Sequence, residues 1–237
     1  IKFGTGPAML HELRTYTFHP GKLPVYLKLA EEVGRPTRGN NYGVNRGYWT
    51  PEFGRLNQIW HLWEYESYEQ RAHLRAELQK NSDWTGKYIP NLLPLLQTQE
   101  IRFLNPALPL TAPEGEGNVY ELRIYRARAG MSQNWLKQFK EIMPVREKYS
   151  KNVGLWWGEA PQPHEVAHMW AYRDANDRLA GGAARLAEPA GRHCRRLYHC
   201  DRALWNGGFA RGVGLLSHPA RRLRGAAATA RPRDASG

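Results

Sequence analysis

Cysteine is all but absent from this chain: 237 residues contain two, Cys194 and Cys200, both near the C-terminal end. A disulfide-stapled fold is thereby excluded for the body of the chain, and so is a zinc site built on cysteine pairs. Long apolar runs are missing as well, and nothing approaches the roughly 18 residues that a membrane-spanning helix needs. No His-Glu-x-x-His, Gly-rich phosphate loop, nucleophile elbow or paired-carboxylate spacing occurs, so the common signatures of metalloproteases, nucleotide binders and hydrolases are lacking. No cofactor and no protein-built metal site is expected.

Acidic residues are also scarce, 22 against 34 Lys and Arg, for a net charge of +12. The imbalance is local. From Arg178 to Gly237 there are twelve Arg, no Lys and three acidic residues, so nine of the twelve net charges sit in that tail. The body is nearly neutral, which argues against a nucleic-acid or anionic-membrane partner. With 41% hydrophobic and 11% aromatic residues, nine of them Trp, the chain has ample material for a packed core.

What the sequence does have is a repeat. Glu12, Arg14 and Tyr16 recur as Glu121, Arg123 and Tyr125, each triplet followed five residues after its Tyr by a turn glycine, Gly21 or Gly130. Tyr26-Leu27-Lys28 is answered by Trp135-Leu136-Lys137, Gly47-Tyr48-Trp49 by Gly154-Leu155-Trp156, and His61-Leu62-Trp63 by His168-Met169-Trp170. The separation drifts only from 109 at the glutamates to 107 at the histidines. A duplicated unit of about a hundred residues follows.

The first copy reads as strand, helix, strand, strand, helix, strand, and the second follows it as far as the third strand, Glu165 to Tyr172. Strand alternation over Met9 to Phe18 puts Leu13 and Thr15 opposite Glu12, Arg14 and Tyr16, and Leu56 to Tyr65 alternates again. Ser67 caps a helix through Lys80 in which Arg71, Leu74 and Leu78 face a sheet. Leu95 to Leu104 is the fourth strand. This order is that of the ferredoxin-like unit, whose helices cover one sheet face only; two such units turn their other faces together and close a barrel. The fold class is therefore α+β, two tandem ferredoxin-like units forming an intramolecular split barrel. The expected divisions are 9–105 for the first unit, 106–117 for a Pro- and Gly-rich linker, and 118–177 for the start of the second.

At about Asn176 the repeat stops matching. The run 178–237, dominated by Arg, Ala and Gly, has the bias of a GC-rich coding sequence read out of frame, so the second unit is expected to be incomplete and the tail frameshifted or disordered. On that reading it supplies no strand beside Val119 to Tyr125. His193-Cys194 and His199-Cys200 have the spacing of half a zinc site, and Arg195-Arg196 and Arg221-Arg222 would suit phosphate; in such a tail both read as accident. Residues 1–8 carry no signal or transit pattern, and Met9 is the expected natural start.

The two copies of Glu-Leu-Arg-x-Tyr, the Gly-Tyr-Trp-x-x-Glu-Phe-Gly of Gly47 to Gly54, and Asn57-Gln58-Ile59-Trp60-His61-Leu62-Trp63 together resemble the NIPSNAP family, over about 9–176. The resemblance implies two dimeric α-β barrel domains per chain and a bacterial, cytoplasmic protein. It implies little chemistry: relatives in animals are linked to mitochondrial and vesicle-associated roles.

The barrel lumen is the concavity that such an architecture forces, and Glu12, Arg14, Tyr16, Glu121, Arg123 and Tyr125 are expected to face it. Two readings stay open. Each Arg neutralises its own Glu and holds the barrel together, which suits duplication, or an Arg binds an anionic or carbonyl-bearing ligand. His61 beside Trp63, and His168 beside Trp170, are further candidates as packed rings, general bases or ligands. Small-molecule binding in the lumen is the favoured function; a cofactor-independent oxygenase or isomerase, and an interaction module working through outer helices, are the alternatives. A homodimer through the remaining strand edges is an open expectation.

Overall fold

Strand β1 (Leu10–Phe18) has almost no exposed residue on either side, and that sets the architecture. Its odd and even positions must both find cover. In the computed structural model, which describes residues 9–112, 118–187 and 214–217, they find it in different places.

The remaining strands are β2 (Val44–Pro51), β3 (Gln58–Tyr65), β4 (Leu96–Pro106), β5 (Val119–Arg126), β6 (Lys151–Ala160), β7 (Glu165–Tyr172) and β8 (Gly214–Ser217). They close into a barrel in the order β1-β3-β2-β8-β5-β7-β6-β4, every pairing antiparallel. Each half has the ferredoxin-like order, and the halves join at two seams, β2 to β8 and β4 to β6. Helices lie outside. In the first unit these are α1 (Leu23–Leu29), which runs through a π turn at Ala30–Gly34 into α2 (Arg35–Arg38), then α3 (Tyr68–Gln79), capped by Ser67 as expected, and the short α4 (Ile89–Leu92) after a second π turn at Trp84–Tyr88. In the second they are α5 (Ser132–Arg146) and α6 (Ala175–Ala187). No helix among the described residues is long and apolar enough to cross a membrane.

The lumen is not a hollow lined by charge. It is filled by Leu13, Trp49, Leu62 and Leu104 from the first unit against Tyr120, Leu122, Trp156 and Met169 from the second, with Leu110 of the expected linker packed on them. The polar triplets point the other way, toward the helices, where Tyr16 and Tyr125 join the clusters under α1 and α5. The expectation that Glu12, Arg14, Glu121 and Arg123 face the lumen is therefore corrected. A sealed barrel centre would strip charges of water on all sides, whereas the helix layer brings partners with it. Polar links inside the barrel sit at its ends: His11 accepts from Trp156 Nε1 at 2.7 Å across the units, and Arg102 meets Glu165 at 3.3 Å.

Two expectations about the tail are also corrected. A strand does lie beside the second Glu-Leu-Arg-x-Tyr segment, since β8 pairs with β5 from Val119↔Ser217 to Leu122↔Gly214. The division at 177/178 falls inside α6. His193, Cys194, Arg195, Arg196, His199, Cys200, Arg221 and Arg222 lie outside the described residues.

The duplicated Gly-x-Trp explains how the lumen is filled. A bulge in each copy, between Asn45 and Gly47 and between Asn152 and Gly154, sets a glycine two residues before a lumen tryptophan. A Cβ on Gly154 would stand 2.3 Å from the Trp156 ring, and one on Gly47 the same distance from Trp49. Because Trp156 is fully buried it cannot swing away. Gly154→Ala is expected to lower stability by about 1–3 kcal/mol through overpacking, read as a lower urea midpoint; an unchanged midpoint would show that the ring does not lie against the glycine.

Candidate functional site

All ten candidate residues are drawn together, but into two clusters rather than one, each between a sheet and its own helices. The strand period of two carries Glu12, Arg14 and Tyr16 of β1 to the same side as His61, Trp63 and Tyr65 of β3, because the register sets Arg14 opposite His61 and Glu12 opposite Trp63. In the second unit Arg123 lies opposite His168 and Glu121 opposite Trp170.

Glu12 has no exposure and accepts from the Nε of Arg14 and from the Nε of Arg71, which reaches in from α3. Arg14 Nη1 donates to the Tyr16 hydroxyl at 2.9 Å. Burial works to raise the Glu12 carboxyl pKa, yet Arg14 and then Arg71 outweigh it and hold the group below its usual value. Glu121 is built the same way: Arg123 Nη2 donates at 2.8 Å and Arg178 of α6 at 2.5 Å, and its pKa is likewise lowered, Arg123 overcoming burial. Each repeated Arg thus forms an ion pair with the Glu two residues before it.

A second Arg in each unit lies flat on a tryptophan. The Arg38 guanidinium sits 3.3 Å from the Trp63 ring centre and donates to Tyr65 Oη at 2.8 Å; Arg146 sits 3.9 Å from Trp170. Sequence reasoning missed Arg38, Arg146 and Arg178, and set Arg71 on a sheet-facing helix position without joining it to Glu12. The signal was present: Pro36-x-Arg38 recurs as Pro144-x-Arg146 at a separation of 108, and Arg71 as Arg178 at 107. The step from 109 at Tyr26/Trp135 to 108 at the prolines is one extra residue in the first unit. It falls where α1 opens into the π turn Ala30–Gly34, the usual structural form of such an insertion.

The two histidines share a tether and differ in their surroundings. Trp63 Nε1 donates to His61 Nδ1, and Trp170 Nε1 to His168 Nδ1, both at 2.5 Å. Burial, reinforced by Arg14 and Arg38, drives the His61 pKa well below 6.5; burial with Arg146 and Arg123 does the same to His168. The Nε2 of each ring is buried without a partner among the described residues. Around His168 the space is packed, Phe139 stacking at 4.7 Å and Trp135 at 6.0 Å. Around His61 it is open. Tyr48 stacks on one side at 4.9 Å and Tyr16 meets it edge-on at 4.7 Å, but the position matching Phe139 at the helix separation of 109 is Ala30.

The result is a cavity of about 630 Å³ bounded by His61, Trp63, Tyr16, Ala30, Arg38 and Trp84, with Arg35 and Glu31 also on its wall. That volume lies in the range of small-molecule sites. The Tyr48 hydroxyl, pushed up to about 12 by burial, stays protonated there. Unit two has a smaller cavity, about 170 Å³, at the far side of its cluster beside Arg146 and Arg178. Among the described residues no three His, Cys, Asp or Glu side chains gather as a metal-ligand set.

Comparison with known proteins agrees with this architecture. The NIPSNAP family model matches residues 11–109 and 120–200. Human Protein NipSnap homolog 3A is 32% identical over 188 residues, spanning 76% of this chain and 75% of its own. A NIPSNAP family protein of unknown function from Agrobacterium tumefaciens is 33% identical, covering 43% of this chain and 90% of its own, with a TM-score of 0.41. A putative monooxygenase from Fusobacterium nucleatum superposes over 90% of this chain and 95% of its own with a TM-score of 0.63 at 9% identity, a likeness of fold. With both copies of its repeat matched by one family model, the chain belongs to the NIPSNAP family.

Proposed function

We propose that this chain binds a small planar anion, of the aromatic carboxylate or enolate class, in the first-unit cavity beneath α1 and α2. One observation carries the reading: His61 keeps an unpartnered, buried Nε2 on the wall of an aromatic cavity that its duplicate fills with Phe139. The tether fixes what His61 offers. Trp Nε1 is a donor only, so His61 Nδ1 must accept, and the neutral ring then carries its proton on Nε2. The residue wall of the cavity therefore holds an N–H donor, and the Nε of Arg38 is a second one without a partner among the described residues. Three guanidiniums, Arg14, Arg38 and Arg75, act on this ring, and Glu12 is already engaged by Arg14 and Arg71. A flat anion satisfies the donors with its oxygens and the Tyr, Trp and His faces with its ring.

The same tautomer weighs against the oxygenase or isomerase reading in its simplest form. A base must present a lone pair, and His61 presents a hydrogen. The arrangement suits holding an oxyanion rather than removing a proton. Interaction through the outer helices has no comparable support, since the polar groups that distinguish the two units lie beneath the helices.

Titration with 2-naphthoate, followed by tryptophan fluorescence from Trp63 and Trp84, tests the reading. Wild type is expected to bind the acid and not 2-naphthamide. Ala30→Phe, which copies the closed unit, is expected to abolish binding while the protein stays folded, and Arg38→Met to weaken it by about 10- to 100-fold, the worth of a charge-assisted hydrogen bond. Absence of binding to wild type, or equal binding to Ala30→Phe, overturns it.

The pH dependence of stability follows from the same groups. His61 and His168 have native pKa values below the unfolded value of 6.5, so the unfolded chain takes up protons that the native state refuses. Their contribution is whole above pH 6.5 and is lost as pH falls below it, at up to about 1.4 kcal/mol per pH unit for each ring. A second loss starts below 4.5, as Glu12 and Glu121 approach their depressed native pKa values. Urea melts across this range should show a shallower first slope in His61→Gln, with His168 and the likewise lowered, buried His11 carrying the remainder; a slope unchanged by the substitution would mean that His61 is not held neutral.

A further inference from the structure

In the second unit the carboxylate of Glu121 is saturated. Its Oε1 accepts from Arg123 Nη2 at 2.8 Å and from Arg178 Nη2 and Nε at 2.5 and 3.1 Å; its Oε2 accepts from Tyr172 Oη at 3.2 Å and lies 4.0 Å from Arg146 Nη2. Donors are left over. Arg123 Nε, Arg146 Nε and Arg146 Nη1 are buried with no acceptor among the described residues, and the Arg146 side chain is only 4% exposed. Three guanidiniums around one carboxylate leave two positive charges uncompensated among the described residues of this cluster. Buried charge in that state is costly unless an anion joins it.

Room for an anion lies beside these donors. The cavity of about 170 Å³ is bounded by Glu121, Arg123, Arg146, Ser150, Arg178 and Gly182. It compares with about 150 Å³ for a protein cavity that admits benzene, so a hydrated or bare oxyanion fits. Comparison of the two copies gives the origin of the space. At the separation of 107 that matches Arg71 with Arg178, Gly182 stands where the first unit has Arg75, a residue close enough to Arg14 and Arg38 to feel their charge. Removal of that side chain opens a pocket against the remaining cations, and a Cβ at Gly182 would meet nothing within 4 Å.

We propose that the second unit binds a small free oxyanion, of the phosphate, sulfate or carboxylate class, on the spare donors of Arg146 and Arg123. The site is separate from the aromatic cavity of the first unit and does not depend on it. Glu121 orients the guanidiniums and repels the ligand at once, which favours a compact anion held on the far side of Arg146 over an extended one. Tyr172, held by Glu121, and Ser150 close the wall.

Inorganic phosphate is the probe. Thermal melting of the full chain in sodium phosphate is compared with sodium chloride at equal ionic strength. A saturable rise in melting temperature is expected, roughly 5–10 °C when phosphate is a hundredfold above its dissociation constant. Gly182→Leu keeps all three Arg residues and fills the space, and Arg146→Met keeps the space and removes the donors; both are expected to lose the phosphate-specific rise. Ala30→Phe, which closes only the first-unit cavity, is expected to keep it. Absence of a rise in wild type, a rise retained in Gly182→Leu, or a rise lost in Ala30→Phe overturns the proposal. Were Arg146→Met to melt too early to read, Gly182→Leu decides alone.

Discussion

A carboxylate with no exposure has to be neutralised where it stands, and in this chain that requirement is met twice by the same device. Glu12 and Glu121 each hold one Arg from their own strand and one from the helix that follows the third strand. The helix is thereby tied to the sheet at a fixed point along its length. Such an ion pair is a poor source of net stability, because desolvation consumes most of the attraction, but its loss on one side strands a buried charge. What it specifies is position: α3 and α6 cannot slide over the sheet without separating Arg71 or Arg178 from its Glu. The aromatic stacks on His61 and His168 are arranged around that point.

Much of this was legible in the residues. The repeat gave two units, the alternation gave strands with two distinct faces, and Ser67 marked a helix start that the backbone adopts. The choice of face was not legible. Leu13 and Leu122 look as though they belong under helices, and Glu12 looks as though it needs a watery lumen, because alternation says only that the faces differ. The deciding facts are long-range: Leu13 and Leu122 join one core cluster inside the barrel, and Arg71 arrives 59 residues downstream of Glu12. The cluster was under-read for a related reason. Arg38 and Arg146 end helical segments whose two copies differ in length by one residue, so a fixed repeat offset passes them by. β8 was hidden differently, since composition of the surrounding tail masks a short strand whose pairing needs only backbone.

The two copies use their shared parts unequally. Tyr16, His61, Trp63 and Arg38 have partners in kind in the second unit, yet one cluster encloses a cavity and the other is packed by Phe139 and Trp135. The change that separates them is small in sequence: Ala30 for Phe139, one residue in a π turn, and Gly182 for Arg75. Each alters volume without touching the hydrogen bonds that hold the cluster.

The seams diverge too. At one, Trp156 gives its indole hydrogen to His11; at the other, the matching Trp49 meets Tyr120 edge-on at 5.9 Å, and its indole nitrogen has no partner among the described residues. A barrel assembled from two identical chains could not do this, because every substitution would appear on both sides of the symmetry axis at once. Covalent fusion lifts that constraint. Here the matched positions differ, one half enclosing a chamber of about 630 Å³ and the other one of about 170 Å³, a division of labour that two copies of a single sequence have no means to hold.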